Sequence, residues 1–391
     1  MSPARPPRIG PAQRRARLGR RHLLAPSRRA ATVEEAVEAV VGLHATDAAT
    51  VYVSACARLA APDAAAVDRA LYEDVSLVKL LSMRRTLFAV TTGLAPVVNS
   101  STARAIAAKE RATLLKHLTD WARGWDEERL AATERAVLAA LTARGEATTA
   151  ELARDVPALR EQIEYGAGTS YAARQSVGSR LLRLLASDGH IRRCRPRGSW
   201  TSSLYPWAPV PPLPELPVRE AKAELARRWL AAYGPATEAD LKWWTGWTLT
   251  DARRALADLG AEPVELDEGP GFTVPGDTAE LPEPEPWAAL LPGLDPTAMG
   301  WRGRDWYLDP EHVPALFDRN GNIGPTVWWN GRIVGGWAQR PDGEPVWRLL
   351  VDTGREAEHA VAAEAERLAG WLGETRITPR FRTPLERELS G

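Results

Sequence analysis

The sequence predicts a mainly helical protein of three tandem winged helix-turn-helix modules, followed by a C-terminal domain of α+β type that is β-barrel-like. Two observations support this fold class. Groups of helices with apolar residues at i, i+3 and i+4 recur three times, and each group ends in a segment that alternates like a β-hairpin. After residue 286, short strand-like segments alternate with turns instead. We therefore expect one arrangement repeated three times without sequence identity, and a different one at the end.

Length and composition limit the class of protein. A chain of 391 residues exceeds one ordinary core, and 45% hydrophobic with 26% charged residues is the balance of a folded chain. The two cysteines, Cys56 and Cys194, lie far apart without a C-x-x-C pair, which argues against a disulfide framework and a zinc site. No apolar run approaches the roughly 20 residues of a membrane helix, and the N-terminal residues contain no apolar core of the kind found in signal peptides. We expect a cytoplasmic protein without metal or cofactor.

The first module is predicted at residues 13–92, after a disordered tail rich in Pro and Arg at 1–12. A connecting helix with several basic residues is predicted within 93–125. The periodicity of the first module predicts helices at 13–24, 33–41, 48–59 and 64–71 and a β-segment at 80–90.

The same order of elements returns twice more. The second module carries a predicted amphipathic helix at 171–187 and a basic hairpin, whereas the third ends in an acidic hairpin. In the last domain, Asn330-Gly331 between apolar runs is the strongest local signal for a hairpin turn. The predicted boundaries are 126–210 for the second module, 218–275 for the third and 287–391 for the C-terminal domain, with Pro-rich linkers at 209–217 and 282–286.

Charge is segregated along the chain although its net value is zero. Residues 1–33 carry nine Arg and no acid, residues 171–205 carry seven Arg and one acid, and residues 262–285 carry eight acids and no base. DNA binding depends on a local basic surface, so this pattern permits it. Arg outnumbers Lys 45 to 5, however, and a general bias toward Arg explains part of the pattern.

Three motifs resemble those of a known family: GLHATDAATVYVSACARL at 42–59, LLSMRRTLFAV at 80–90, and LLPGLDPTAMGWRGRDWYLDP with GPTVWWNGRIVGGW near the C-terminus. Together they resemble the winged-helix DNA-binding family that includes the AlkZ- and YcaQ-type interstrand-crosslink glycosylases. The resemblance spans nearly the whole chain. It implies a DNA-repair or self-resistance glycosylase that hydrolyses the N-glycosidic bond of bulky N7-alkylated purines in double-stranded DNA.

The catalytic motif of that family is Gln-aliphatic-Gln or Gln-aliphatic-Asp, and the matching positions here are His44-Ala45-Thr46. The resemblance implies that His44 serves as a general base of near-neutral pKa, or accepts from a water as neutral imidazole, while Thr46 orients the water. Asp47 would orient His44 or stabilise the sugar cation. The alternative is structural: Thr46 or Asp47 caps the following helix, and His44 caps the preceding one.

Arginines form the predicted DNA-binding surface. Two of them fall within the predicted β-segment, where alternation sends one outward and one inward, to phosphate or to an acidic partner. Others lie on the predicted helix at 171–187 and on the basic hairpin beside it, the best surface for a DNA backbone, against the alternative of a solvated face. The predicted contacts are Arg84, Arg85, Arg174, Arg180, Arg183, Arg192, Arg193 and, more weakly, Arg332.

The sequence thus predicts a monomer that acts as a monofunctional glycosylase, since no lysine lies in the motif to form a Schiff base. One alternative is a non-catalytic winged-helix protein, either a transcription regulator or a scaffold that binds damaged DNA. The other is a small-ligand site in the C-terminal domain, with the winged helices as architecture only.

Overall fold

A computed structural model describes residues 5–122, 124–165 and 173–391. Across these residues the chain forms fifteen α-helices and thirteen β-strands, and the strands make five small sheets rather than one large one. No helix in the described ranges is long and apolar enough to cross a membrane.

The first unit places a three-stranded antiparallel sheet, of order β1-β3-β2, beside four helices. Side chains cap three of these helices: Thr32 in a capping box with Glu35, then Asp47 and Asp63. The elements are α1 (Pro11–Arg21), α2 (Val33–Glu38), β1 (Leu43–His44), α3 (Ala48–Arg58), α4 (Ala64–Tyr72), β2 (Leu77–Ser82) and β3 (Thr86–Thr91).

The predicted β-segment at 80–90 is two strands joined by a turn. Met83–Arg85 form a single turn of 3₁₀ helix between β2 and β3, and both Arg84 and Arg85 have positive φ angles. The prediction that these two arginines alternate within one strand was therefore wrong. They lie at the tip of a hairpin, where alternation does not apply.

The second unit begins after a π-helical turn at Asn99–Ala103. Its predicted helix at 171–187 begins only at Val177, because residues 173–176 pair with an earlier strand and Ser176 caps the helix. Residues 171–172 lie outside the described residues. The short helix α5 (Ala95–Val98) precedes this turn. The elements of the second unit are α6 (Arg104–Trp121), α7 (Glu127–Arg144), α8 (Thr149–Asp155), β4 (Gln162–Tyr165), β5 (Ala173–Ser176), α9 (Val177–Ser187), β6 (Ile191–Arg193) and β7 (Trp207–Pro209).

The third unit is three helices and an antiparallel hairpin, and the N-terminal segment lies against it. Ile9 N donates to Glu265 O at 3.0 Å, so residues 5–12, predicted as a disordered tail, contact this hairpin. The elements are α10 (Val218–Tyr233), α11 (Glu238–Thr245), α12 (Leu249–Asp258), β8 (Glu262–Leu266) and β9 (Gly269–Thr273).

Two of the oppositely charged sequence segments neutralise each other. Guanidinium groups of α1 reach the acidic hairpin and the loop after it: Arg14 contacts Glu268 at 2.5 Å, and Arg17 and Arg21 contact Asp277 at 2.8 and 2.6 Å. Since Arg14 and Arg17 are buried, these contacts supply the partners that buried charges require. Three of the five arginines of α1 are therefore neutralised within the protein.

The C-terminal region is an open four-stranded antiparallel sheet of order β10-β11-β12-β13, with no closed barrel in the described residues. The predicted barrel-like shape was wrong because two helices cover this sheet instead: α14 contacts β10, β11 and β13, and α15 contacts β12 and β13. The predicted Asn330-Gly331 turn is confirmed, with both residues at positive φ. The elements are β10 (Ala288–Leu291), α13 (Val313–Leu316), β11 (Thr326–Trp329), β12 (Arg332–Gln339), β13 (Pro345–Leu349), α14 (Gly354–Leu372) and α15 (Pro384–Ser390).

One continuous hydrophobic core joins the first unit, the third unit and part of the C-terminal region. It contains Tyr52, Trp229 and Trp328, one from each. Residues between Leu114 and Trp207 form a separate core. The second unit therefore packs around its own apolar centre.

A buried ion pair crosses the main core. The Arg58 guanidinium on α3 donates to both carboxylate oxygens of Asp295, at 2.7 and 2.9 Å, and both side chains are fully buried. Ser54 Oγ and Thr297 N also donate to Asp295, at 2.6 and 2.9 Å. Burial opposes ionisation of Asp295, but the nearby Arg58 charge holds the pKa of this carboxyl below its usual value. His22 joins the network through Thr297 Oγ1 at 2.9 Å.

We expect Asp295→Asn to lower the free energy of unfolding by about 3–5 kcal/mol, because it leaves the Arg58 charge buried without a counter-ion. Glu344→Gln is the control, since its pair with Arg340 is half exposed, and should change the free energy by about 1 kcal/mol or less. Urea unfolding monitored by circular dichroism measures both. Equal effects of the two substitutions would contradict the importance of the buried pair.

Candidate functional site

A cleft of about 260 Å³ lies between the first and second units, and positive charge dominates it. Its walls come from β2, the β2–β3 hairpin, α9, β6 and the segment before α15. Among the described residues, its lining includes no acidic side chain. The cationic side chains that line it are Lys79, Arg85, Arg183, Arg192, Arg193 and Arg380.

Different local structures hold these cations. Arg183 is exposed on α9, and its Nε donates to Ser179 O at 2.8 Å one turn earlier. Arg193 on β6 lies over the rings of Tyr205 and Trp207, at 4.8 and 5.8 Å from their centroids. Arg380 is fixed by its backbone, whose N–H donates to Asp47 Oδ2 at 2.9 Å. The cleft is thus assembled from parts of the chain that are distant in sequence.

The electrostatics favour an anionic ligand. Burial, with Arg193 nearby, lowers the pKa of Lys79 to about 8. Burial also lowers the pKa of Arg193, and the charges of Arg183 and Arg380 act in the same direction. Each shift means that the cleft disfavours its own positive charge, and a bound anion such as phosphate relieves that cost.

Thr46 lines this cleft, and Asp47 caps α3 next to it. Thr46 is partly exposed, and its Oγ1 accepts from Leu87 N at 3.4 Å. Asp47 Oδ1 accepts from Ala49 N at 3.1 Å while Oδ2 accepts from Arg380 N. The capping alternative therefore describes Asp47, and its carboxylate has no hydrogen bond to His44. Thr46 alone of the predicted motif lines the cleft.

His44 is enclosed on the other face of the sheet. The register sets His44 opposite Phe88 and Lys79 opposite Ala89, and adjacent positions of a strand project to opposite faces. His44 is only 3% exposed to solvent. The centroid of its imidazole ring lies 4.7 Å from that of the Phe88 ring. Neither ring nitrogen has a hydrogen-bond partner in the described part of the chain.

Burial lowers the pKa of His44 to about 3, and the Arg84 charge adds to this shift. This value differs from the near-neutral pKa expected of a general base, because a group in an apolar enclosure beside a cation resists protonation. A catalytic role for His44 stays a prediction. The other prediction for His44, a neutral imidazole, agrees with this environment.

Arg84 and Arg85 point to different surroundings. The Arg84 guanidinium stacks on the Trp243 ring at 3.9 Å from its centroid, and that of Arg304 lies 5.0 Å from the same ring. Burial lowers the pKa of Arg84 to about 10, with Arg304 nearby. Arg85 is exposed, lines the cleft and pairs with Glu110 on α6.

Besides Arg84, three further predicted DNA contacts lie outside the cleft. Arg174 lies on β5 rather than on a helix and pairs with exposed Glu164 at 3.2 Å. Arg180 on α9 contacts His117 Nδ1 at 3.3 Å. Arg332 lines another cavity, of about 620 Å³, with Arg15.

Beside that cavity, Asp309, Glu311 and His312 have ligand atoms within 4.8 Å of one another, a spacing that suits a metal ion.

Two cleft residues escaped the sequence analysis. Lys79 precedes the predicted β-segment by one residue, and the true strand begins at Leu77, so correct strand bounds would have included it. Arg380 lies in the irregular segment between α14 and α15, and no pattern in the sequence associates it with Asp47.

Comparison with known proteins gives three findings. The family model described as "DNA glycosylase AlkZ-like" matches residues 37–371. A curated Streptomyces sahachiroi protein, named interstrand DNA cross-link repair glycosylase, is 34% identical over 170 residues. That match covers 41% of this chain and only 46% of the relative. The solved structure of Streptomyces sahachiroi DNA glycosylase AlkZ matches with a TM-score of 0.72 and 24% identity, over 95% of this chain and 99% of that one, and shows the likeness of fold.

We expect the wild-type protein to lose more stability on acidification than His44→Gln. The His44 pKa of about 3 in the folded state lies below the usual value of 6.5, so the unfolded chain binds the proton first. Stability present above pH 6.5 is lost as the pH falls toward 3, by about 2 kcal/mol from this residue between pH 6.5 and 5. Urea unfolding at both pH values measures the difference, in which any pH-independent cost of the substitution cancels.

His359→Gln, at an exposed position on α14, is the matched control for loss of a histidine. An identical pH dependence in wild type and His44→Gln would contradict the enclosed, neutral state of His44.

Proposed function

The chain belongs to the AlkZ-like DNA glycosylase family, and we propose that it hydrolyses the N-glycosidic bond of bulky N7-alkylated purines in double-stranded DNA, including those in interstrand crosslinks. Its role would be DNA repair or self-resistance, in the cytoplasm and on the nucleoid. The observation that carries this proposal is the cleft in which Thr46 lies among six cations and no acid of the described residues. The name of the curated relative supports the choice of crosslinks.

We propose that the three helical units with their hairpins act as winged helices, with the predicted boundaries 13–92, 126–210 and 218–275 and a C-terminal domain at 287–391. In this arrangement α9 and the hairpin of β6 and β7 form the DNA-facing part of the second module. Three of the arginines of the cleft, Arg183, Arg192 and Arg193, lie on these two elements. The third hairpin is acidic and paired with α1, so it would not contact phosphate.

The cleft is suited to the DNA backbone rather than to base sequence. Arg183 and Arg192 offer charged donors, and such contacts to phosphate position a protein without reading sequence. A monomer suffices because the cleft is assembled within one chain. Arg84, Arg174, Arg180 and Arg332 would contribute only secondary contacts at the edges of the bound duplex.

The chemistry requires little of the protein. A purine alkylated at N7 carries positive charge and leaves without protonation, so the site has to hold a water near the anomeric carbon and tolerate the developing sugar cation. We propose that Thr46 Oγ1 orients this water. His44, as a neutral imidazole on the other face of the sheet, would help to hold the segment that carries Thr46. The Asp47 carboxylate beside Thr46 would stabilise the developing sugar cation by its negative charge.

A non-catalytic protein that binds damaged DNA is the second candidate. It is favoured by the enclosure of His44, whose ring nitrogens are buried and have no hydrogen-bond partner among the described residues. In that case the cleft would hold the backbone, and the His-Ala-Thr variant would mark a lost activity. The same assay separates the two functions.

We expect wild type to release N7-methylguanine, or a bulkier N7 adduct, from an end-labelled duplex and to leave an abasic site that alkali converts to a strand break. Thr46→Ala should lower the rate by roughly 10²-fold because the water is no longer held, and His44→Ala should lower it as well. Thr142→Ala, at an exposed position on α7, is the matched control.

Retained DNA binding in Thr46→Ala would locate the loss in the chemical step. The rate should carry no acid limb near pH 6.5, since the His44 pKa is about 3. Binding without release of any N7 adduct by wild type would establish the non-catalytic alternative.

We expect Arg183→Gln to reduce the salt dependence of duplex binding. A phosphate contact contributes about 0.9 to the slope of log affinity against log salt, so the slope should fall by about that amount. Arg355→Gln, exposed on α14 away from the cleft, should leave the slope unchanged. Fluorescence anisotropy over a salt series measures both, and equal slopes for wild type and Arg183→Gln would remove Arg183 from the interface.

A further inference from the structure

Lys79 is a potential nucleophile in the wall of the cleft. It lies on β2, and its Nζ donates to Tyr72 Oη at 2.9 Å. Within the described residues it forms no salt bridge, unlike Lys222, which pairs with Asp251 at 2.8 Å. Burial, with Arg193 nearby, lowers its pKa to about 8, so roughly a quarter of the amine is unprotonated at pH 7.5. A neutral amine is what an attack on a carbonyl group requires.

Polar side chains surround this amine on the side away from the cleft. Lys79 Nζ donates to Tyr72, and Tyr52 Oη donates to Asp68 Oδ1 on α4. The two tyrosines interact through their hydroxyl groups, an interaction that contributes to the pKa of each. The Lys79 amine is therefore held in place by a hydrogen bond to a neutral hydroxyl group rather than by a carboxylate.

The size and charge of the cleft suit a sugar that has lost its base. Its volume of about 260 Å³ is below the range of pockets that hold drug-sized ligands. Arg183, Arg192 and Arg380 line the same space and are available to the phosphates on either side of such a sugar.

We infer that the protein is also an abasic-site lyase, in which Lys79 Nζ attacks C1′ of an abasic deoxyribose held in the cleft. This inference rests on the proposed function, because it requires DNA in the same cleft. It departs from the monofunctional chemistry that the sequence predicts. The sheet order β1-β3-β2 brings Lys79 to the cleft from a strand outside the catalytic motif.

The steps balance without an oxidant or a metal. The neutral Lys79 amine adds to the C1′ aldehyde of the ring-opened sugar, and the adduct takes up one proton from solvent and loses one water to give a protonated Schiff base. The iminium acidifies C2′, whose proton passes to solvent. The electron pair forms the C2′–C3′ double bond while the C3′–O bond breaks and releases the 3′ phosphate. One water then hydrolyses the Schiff base and restores the amine.

The test is borohydride trapping on a duplex with a preformed abasic site, made by removing uracil, so that base release by this protein is not required. Wild type should form a covalent adduct, and mass spectrometry should map it to the peptide that contains Lys79. Lys79→Arg keeps the positive charge but not the nucleophile, and should lower the yield by about tenfold or more. Lys242→Arg, exposed on α11, is the matched control and should trap like wild type.

Duplex binding and the melting temperature of Lys79→Arg are measured in parallel, so that loss of fold is recognised. An adduct on Met1 or on another lysine, or full trapping by Lys79→Arg, would overturn the inference. Binding without an adduct would overturn it and leave the glycosylase proposal in place. An adduct without base release would support the lyase alone, and failure to bind any duplex would overturn both.

Discussion

The buried ion pair between Arg58 and Asp295 is the constraint on which the site depends. Neither charge reaches water, so each requires the other, and the pair joins the C-terminal end of α3 to the loop after β10. The other end of α3 is held by Asp47, which caps the helix and accepts from Arg380. With α3 fixed at both ends against the C-terminal region, Thr46 takes a defined place in the wall of the cleft.

Salt bridges neutralise many arginines elsewhere in the protein, whereas the cleft keeps a cluster of positive side chains. Three arginines of α1 pair with Glu268 and Asp277, two acids that would otherwise repel DNA from the third hairpin. In the described part of the basic stretch at 171–205, acidic partners are present for Arg174, Arg195 and Arg197. Arg183, Arg192 and Arg193, which line the cleft, form no salt bridge with a described residue. A chain of zero net charge can therefore present a local anion site.

The three-stranded sheet of the first unit separates the surroundings of His44 on one face from those of Lys79 on the other. His44 projects toward Phe88 into an enclosed space where burial keeps its imidazole neutral. Lys79 projects from the opposite face, where burial lowers its pKa beside hydrogen-bonding tyrosines. The same physical cause, the energetic cost of a charge that is poorly hydrated, lowers both pKa values. It keeps the His44 imidazole neutral, and it raises the fraction of the Lys79 amine that is unprotonated and able to act as a nucleophile.

The sequence by itself determined most of the helices, the Asn330-Gly331 turn, a capping residue at the start of α3 and the basic character of α9 and β6, because these follow from local periodicity and turn chemistry. It also determined the family, through motifs that extend across the chain. Only the tertiary structure decided that Arg84 and Arg85 form a turn, that Arg174 pairs with Glu164 on a strand, and that the last sheet stays open. It also decided that Lys79 and Arg380 meet Thr46 while His44 does not. These outcomes depend on register and on contacts between residues up to 334 positions apart, as for Arg380 and Thr46, which no local pattern encodes.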